Sequence, residues 1–220
     1  MQSLARLLLA FACLLLGPLA VIADELPANT NEIKSLTPEQ ARKLVATFEG
    51  VRLELNGLTT LDADTAKALA ESKAQGLFLA GLTMIDADAA KSLANFKGFW
   101  LQLSNLTTLN ADTAKALAEF KGHVLFLDGL TTLNADTAKA LGECKNKGLL
   151  TLAGLKTLDA ETANGLAEFK GQALNLNGLT ALDADAAKAL AAFKSLLLNL
   201  DGLKTLDADT ANGLAEFKGQ

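Results

Sequence analysis

Most of the chain repeats one pattern of hydrophobic and polar positions, in which alternating leucines give way to apolar residues at helical spacing. In one copy, Leu101 and Leu103 alternate with polar residues as in a half-buried strand, whereas Ala114, Leu117 and Phe120 follow one face of a helix. The motif Leu-x-Leu-x-Gly-Leu, with Asn in place of Gly in this copy, begins at Leu53, Leu77, Leu101, Leu125, Leu150, Leu174 and Leu198. Neighbouring copies are 24 residues apart, except for one pair at 25. The pattern predicts one short strand and one short helix in each of seven repeats.

Polar residues mark the predicted start and end of each helix. An Asp or Asn precedes each helical pattern and predicts an N-cap, because its side chain can accept a backbone N–H of the first turn. These residues are Asp62, Asp86, Asn110, Asn134, Asp159, Asp183 and Asp207. A second acid two positions later, such as Asp64 or Glu161, is favoured by the helix dipole. The pairs Lys97-Gly98 and Lys121-Gly122 predict C-terminal caps in which glycine adopts a left-handed backbone.

One repeat buries too little apolar surface to offset the entropy lost by ordering its backbone, so the repeats are expected to stack into a solenoid over residues 53–220. Residues 33–52 match the second half of a repeat and predict an N-terminal cap helix. Its capping box would join Thr37 and Gln40, with Pro38 as the first helical residue. No polar capping unit follows the last helix, so the C-terminal edge is expected to be exposed.

A repeat of this length, with strand leucines two apart and a helix leading to the next strand, resembles the leucine-rich-repeat family. The resemblance covers residues 33–220 and is nearest to the short, helical repeats of that family. It implies an α/β solenoid with parallel β-strands on the concave face and short helices on the convex face. The family position usually held by Asn or Cys is Leu here, so the family's asparagine ladder is missing. Glycine precedes that leucine in six repeats and Asn105 in the seventh, which predicts a left-handed turn.

The N-terminus has the pattern of a secretory signal peptide over residues 1–23. Arg6 precedes an apolar run from Leu7 to Leu16, and small residues end at Ala23. A retained N-terminal anchor is the alternative, although the run is short for a membrane span. The signal pattern predicts a secreted, periplasmic or cell-envelope protein in which residues 24–32 form a linker. It also predicts no stable membrane span after cleavage.

Charge and composition exclude several classes of partner. Removing the signal peptide leaves 19 basic against 25 acidic side chains, so phosphate backbones and anionic membranes are poor partners. Tyrosine is absent and Trp100 is the single tryptophan, which argues against stacking surfaces for sugars or bases. We therefore expect no nucleic-acid partner and no cofactor.

Candidate chemistry in the chain has structural explanations. His123 is the sole histidine, so no histidine-based triad or metal site can be assembled. Cys144 takes the repeat position that is Phe in five repeats and is expected to be a small core residue, and Cys13 leaves with the signal peptide. The recurring Asp-Ala-Asp suggests helix caps rather than a calcium ladder, because Asn replaces the first Asp at two sites. The sequence thus predicts no catalytic residue, no metal site and no enzyme.

The strand residues that point away from the core differ most between repeats and are the candidate binding residues. Alternation along each strand places them on the concave face. The apolar ones are predicted to form one contiguous patch: Phe78, Trp100, Val124, Phe126 and Leu149. These side chains either bind a ligand or pack only on each other.

Two functions from different classes remain open at this stage. The first is a non-enzymatic binding or scaffold protein whose concave face engages a protein or peptide ligand. The second is a structural cell-envelope component that self-associates end to end through the uncapped C-terminal edge. An enzyme is the third alternative, but the sequence lacks a cluster of acid, base and nucleophile outside the helix caps.

Overall fold

The computed structural model describes residues 26–219, so the predicted signal peptide lies outside the described residues. A turn of 3-10 helix spans Thr30–Glu32. The strands in this part of the chain are β1 (Arg52–Glu54), β2 (Gly76–Phe78), β3 (Trp100–Gln102), β4 (Val124–Phe126), β5 (Leu149–Thr151), β6 (Ala173–Asn175) and β7 (Leu197–Asn199). The α-helices are α1 (Pro38–Thr47), α2 (Ala63–Ala70), α3 (Ala87–Leu93), α4 (Ala111–Leu117), α5 (Ala135–Gly142), α6 (Ala160–Ala167), α7 (Ala184–Ala191) and α8 (Ala208–Leu214). The prediction of one strand and one helix per repeat is confirmed.

The strands form a single open, parallel sheet whose order follows the chain from β1 to β7. The central leucine of each strand pairs with that of the next, as Leu53 does with Leu77. The register survives the one spacing of 25 residues, because Val124 still pairs with Leu149. The extra residue lies in the loop before β5, where the buried Asn146 amide donates to the Leu149 carbonyl at 3.0 Å. The fold is therefore α/β with parallel strands that alternate with helices.

The hydrophobic core is one continuous cluster that joins strand leucines to helix residues. Phenylalanines that follow successive helices stack in a row within it. The ring centroids of Phe96 and Phe120 are 6.5 Å apart, and those of Phe169 and Phe193 are 6.3 Å apart. Cys144 interrupts this row between Phe120 and Phe169 and is buried. Its predicted place in the core is confirmed.

The seven predicted N-caps are confirmed at the start of α2 to α8. Asp62 Oδ1 accepts the Thr65 backbone N–H at 2.7 Å, and Asn134 Oδ1 accepts that of Thr137 at 2.8 Å. The other five helices begin with the same bond. The predicted capping box of α1 is also present. Asp and Asn are interchangeable here because both offer the oxygen that the free N–H requires.

The prediction of left-handed turns after the strands is wrong. Among the glycines of residues 26–219, only Gly219 has a positive φ. The turn glycines are required instead by the close approach of the preceding repeat. A Cβ on Gly81 would lie 2.4 Å from the carbonyl oxygens of both Asn56 and Leu58. Glycine is selected here for its missing side chain rather than for its backbone freedom.

The predicted left-handed caps at Gly98 and Gly122 are wrong for a related reason. Neither glycine has a positive φ, and α3 and α4 end well before them. The ring of Phe96 folds over Gly98, where an added Cβ would lie 2.2 Å from the ring. The ring of Phe120 lies the same way over Gly122, at 2.1 Å. These glycines make room for the buried phenylalanine row.

Side-chain hydrogen bonds join successive repeats just after the strands. Asn31 Oδ1 accepts the backbone N–H of Asn56 at 3.0 Å, and Asn56 Oδ1 accepts that of Ala80 at 3.0 Å. The same bond, also at 3.0 Å, joins Asp128 to Ala153 and Asn177 to Asp201. This row lies two residues before the last leucine of the Leu-x-Leu-x-Gly-Leu motif. Side chains at this position of the repeat thus accept backbone N–H groups of the following repeat.

Residues 30–34, here called the N-terminal segment, contact the edge of β1 that is not paired with β2. The Thr30 hydroxyl donates to the Glu54 carbonyl, and the Lys34 carbonyl accepts the Thr59 N–H at 3.2 Å. Part of the stretch assigned to a linker, residues 24–32, therefore contacts the sheet. The α1 helix packs beside α2 in the helix layer.

Strand β7 has one hydrogen-bonded neighbour in the described residues, β6. Leu196, which precedes β7, and Leu197, its first residue, are 61% and 50% exposed. Leu198 and Leu200 are partly exposed, although the matching leucines of the preceding repeat, Leu174 and Leu176, are fully buried. The apolar layer is therefore open at this edge. Separately, none of the helices within residues 26–219 has the length and apolarity needed to cross a membrane.

Candidate functional site

The described residues hold no group of three or more His, Cys, Asp or Glu side chains that could bind a metal ion. Burial raises the pKa of the Cys144 thiol to about 12, which disfavours the thiolate that a nucleophile requires. The N-cap carboxylates of Asp159 and Asp207 accept backbone hydrogen bonds that lower their pKa, so they are suited to capping rather than to general acid catalysis.

The face of the sheet turned away from the core, here called the outer face, carries two rows of side chains. The first strand residues form the first row: Arg52, Gly76, Trp100, Val124, Leu149, Ala173 and Leu197. The third strand residues form the second row: Glu54, Phe78, Gln102, Phe126, Thr151, Asn175 and Asn199. Aromatic residues are confined to β2, β3 and β4, and polar residues follow in the second row. The outer face therefore changes character along the sheet.

The five predicted patch residues all lie on these rows, but they are divided between the two rows and differ in exposure. Trp100, Val124 and Leu149 are successive members of the first row. Phe78 and Phe126 belong to the second row and are separated by Gln102 of β3. Val124 is only 8% exposed, whereas the other four are half-buried. Trp100 and Phe78 therefore offer surface to a ligand, while Val124 serves mainly as support.

Gly76 forms the floor beneath Phe78 and Trp100. A Cβ at this position would lie 2.5 Å from the Phe78 ring and 3.1 Å from the Trp100 ring. Because glycine has no side chain, the two rings can lie over the backbone of β2. The rings are thus held from below by the sheet, which fixes their positions before any ligand arrives.

Arg52 closes this cluster on the β1 side. Its guanidinium carbon lies 5.7 Å from the centroids of both the Phe78 and the Trp100 rings. Cation–π attraction to two rings holds the side chain across the gap above Gly76. The carboxylate of Glu54, its neighbour in the strand, instead accepts a hydrogen bond from the Asn31 amide at 3.2 Å. In residues 26–219 no carboxylate forms an ion pair with Arg52.

Two further rings extend the cluster and were missed in the sequence. Phe99 is 49% exposed and meets Trp100 edge to face, with ring centroids 5.5 Å apart. The imidazole of His123 stacks on Phe99 at 4.5 Å. Both residues precede their strands, so the alternation used to select outward positions did not include them. The signal in the sequence was the run of adjacent aromatic residues at 99 and 100.

The aromatic patch is defined from here on as Phe78, Phe99, Trp100 and His123, with Arg52 at its edge. Phe78 and Trp100 rest on Gly76, whereas the His123 ring lies over Gly148. Such an arrangement can bind apolar or aromatic groups by contact, and its cation can receive an anionic group. No family model matches the chain, and no curated protein matches it in sequence. Functional assignment therefore depends on this geometry.

Proposed function

We propose that the protein is a non-enzymatic binding module of the cell exterior, periplasm or envelope, and that it engages a protein or peptide through the aromatic patch. In this proposal the chain is a leucine-rich-repeat-like solenoid with its strands on the concave face. The main support is the half-buried Trp100, which lies with Phe78 over Gly76 on the outer face and meets the exposed Phe99 edge to face. Aromatic side chains and arginine are the residues that most often dominate binding energy in protein interfaces.

The surrounding repeats support the same proposal. Buried positions are nearly invariant, because each strand presents the same leucines to the core. The second row of the outer face instead changes from aromatic to polar between β4 and β6, ending at Asn175 and Asn199. Packing of the core does not require that change. A ligand that contacts β2 to β5 accounts for it.

A peptide selection tests this function. Random peptides displayed on phage are selected on residues 24–220 and then measured against Trp100→Ser. Met84→Ser is the matched control, because Met84 is an apolar side chain that is 67% exposed elsewhere on the surface. We expect Trp100→Ser to weaken the selected peptides by at least about tenfold, as for a central interface residue, and Met84→Ser to leave their affinity unchanged.

The stability of the same variants completes the test. Trp100→Ser should cost less than about 2 kcal/mol of unfolding free energy, since the ring is half-buried and outside the core. A larger loss of stability would show that the aromatic patch is structural. Equal loss of binding in Met84→Ser would show that the peptides do not depend on the aromatic patch.

A second candidate function is self-association through β7, for which the exposed Leu196 and Leu197 are the supporting observation. The N-terminal segment covers β1, so such contacts would join two copies through their β7 edges rather than build a continuous filament. Light scattering over a range of concentrations tests this alternative. A dimer that Leu197→Lys abolishes and Met84→Lys preserves would support it, and a monomer at every concentration would refute it.

A further inference from the structure

We propose that the aromatic patch recognises the C-terminus of an extended peptide, with Arg52 binding the terminal carboxylate and the aromatic rings holding a large apolar last side chain. The inference rests on the proposed function and adds to it the chemical class of the ligand. It also assigns Arg52, which the five predicted patch residues do not include, as the residue that fixes the direction of the peptide.

The charges on the outer face single out Arg52. Among the seven residues of the first row it is the only charged side chain, and in the second row Glu54 is the only one. Glu54 is bound to Asn31 of the N-terminal segment. The guanidinium is therefore the one cation on these rows, and no carboxylate in residues 26–219 forms an ion pair with it.

The contacts of Arg52 prepare it for an anion. The rings of Phe78 and Trp100 hold the guanidinium through its attraction to their faces, at 5.7 Å from each centroid. Ring contacts of this kind leave its N–H donors unused. A carboxylate is the group that matches these donors, because its two oxygens can accept two parallel N–H bonds from one guanidinium.

The position of Arg52 on the sheet favours a terminal carboxylate over an internal one. Arg52 belongs to β1, the first strand of the sheet, and Thr30 and Asn31 contact this strand at Glu54, two residues further on. A peptide that crosses the strands from Leu149 therefore reaches Arg52 where the two rows end. Four strand spacings of about 4.8 Å separate β5 from β1, a span of about six extended residues.

The aromatic rings define what the last side chain should be. Phe99 and Trp100 meet edge to face, and we infer that the corner between their rings receives this side chain, because the Trp100 ring also contacts the guanidinium. A phenylalanine or leucine at the peptide terminus would fill this corner while its own carboxylate meets Arg52. The half-buried Leu149, further along the first row, offers an apolar contact to preceding residues.

Three fluorescein-labelled hexapeptides test the proposal by fluorescence anisotropy. All share alternating leucine and serine residues: one ends in phenylalanine with a free carboxylate, the second has the same sequence with a C-terminal amide, and the third is amidated with glutamate beside an internal phenylalanine. We expect the free acid to bind at least about tenfold more tightly than either amide, since the second peptide has no carboxylate and the third carries it on an internal side chain instead of at the terminus. Arg52→Gln should remove this difference, and Arg52→Lys should restore part of it.

The outcomes separate this proposal from the proposed function. Equal affinity of the acid and amide peptides, with both weakened by Trp100→Ser, would overturn the role of Arg52 and leave the binding surface intact. If the peptide with the internal glutamate binds most tightly, the proposal that Arg52 recognises a terminal carboxylate is wrong. If no peptide binds, or if Trp100→Ser changes none of the affinities, the proposal fails together with binding of such peptides at the aromatic patch.

Discussion

The side-chain oxygen of Asn56 accepts the backbone N–H of Ala80 at 3.0 Å, one repeat further along the chain. The backbone N–H of Asn56 is in turn bound by Asn31 Oδ1 at the same distance. Asn56 thus satisfies a backbone donor of the next repeat while the previous repeat satisfies its own. The bond therefore stabilises the interface between repeats rather than a single repeat.

Asn56→Ala should destabilise the protein by about 1 kcal/mol, because it leaves the Ala80 N–H without its acceptor. Asn56→Asp keeps an oxygen at the same place, as Asp128 does for Ala153, and should stay within about 0.5 kcal/mol of the wild type. Urea unfolding followed by circular dichroism measures both. Equal losses in the two variants would contradict the role of the accepted hydrogen bond.

Gly81→Ala should cost about 1–3 kcal/mol, because its Cβ would lie 2.4 Å from two carbonyl oxygens of the preceding repeat. Asn105 stands at the matching position of the next repeat and already carries a Cβ. Asn105→Ala is therefore the control and should change stability by less than about 0.5 kcal/mol. The same unfolding experiment compares them, and a tolerated alanine at position 81 would refute the crowding explanation.

Cys144 should make stability fall as the pH rises above 9. Burial raises the pKa of its thiol from 9.0 to about 12 in the folded chain, so the unfolded chain loses this proton first. Between these values unfolding releases a proton, and each pH unit should cost roughly 1 kcal/mol. The measured quantity is the difference in pH dependence between wild type and Cys144→Ala, which isolates the contribution of the thiol. Parallel curves would show that the thiol does not contribute.

The thiol should also resist alkylation in the folded protein. Iodoacetamide at pH 8 should modify Cys144 only as fast as the chain unfolds, since the buried thiolate is disfavoured. Rapid labelling without denaturant would contradict its burial in the core.

The repeat pattern predicted strands, helices and caps well, because each depends on local signals. Asp62 and Asn110 were identified as caps from their place before a helical pattern, and both accept the expected N–H. Leucine alternation likewise located the strand centres, such as Leu101 in β3.

The errors arose where two physical causes select the same residue. A left-handed backbone and a crowded site both favour glycine, so Gly81 and Gly98 could not be assigned to the second cause without the neighbouring repeat. The candidate site was incomplete for a similar reason. Arg52 becomes a candidate binding residue only through its contacts with the rings of Phe78 and Trp100, which are 26 and 48 residues away in sequence.

Trp100 provides the most direct test of the central claim, that a ligand binds on the aromatic patch. It is the single tryptophan of a chain without tyrosine, so its fluorescence reports this surface alone. Quenching by acrylamide is measured for residues 24–220 with and without a saturating amount of a peptide selected from the display library. The account predicts that bound peptide shields the half-buried ring and lowers the quenching constant. An unchanged constant at saturation would place the peptide elsewhere and contradict the account.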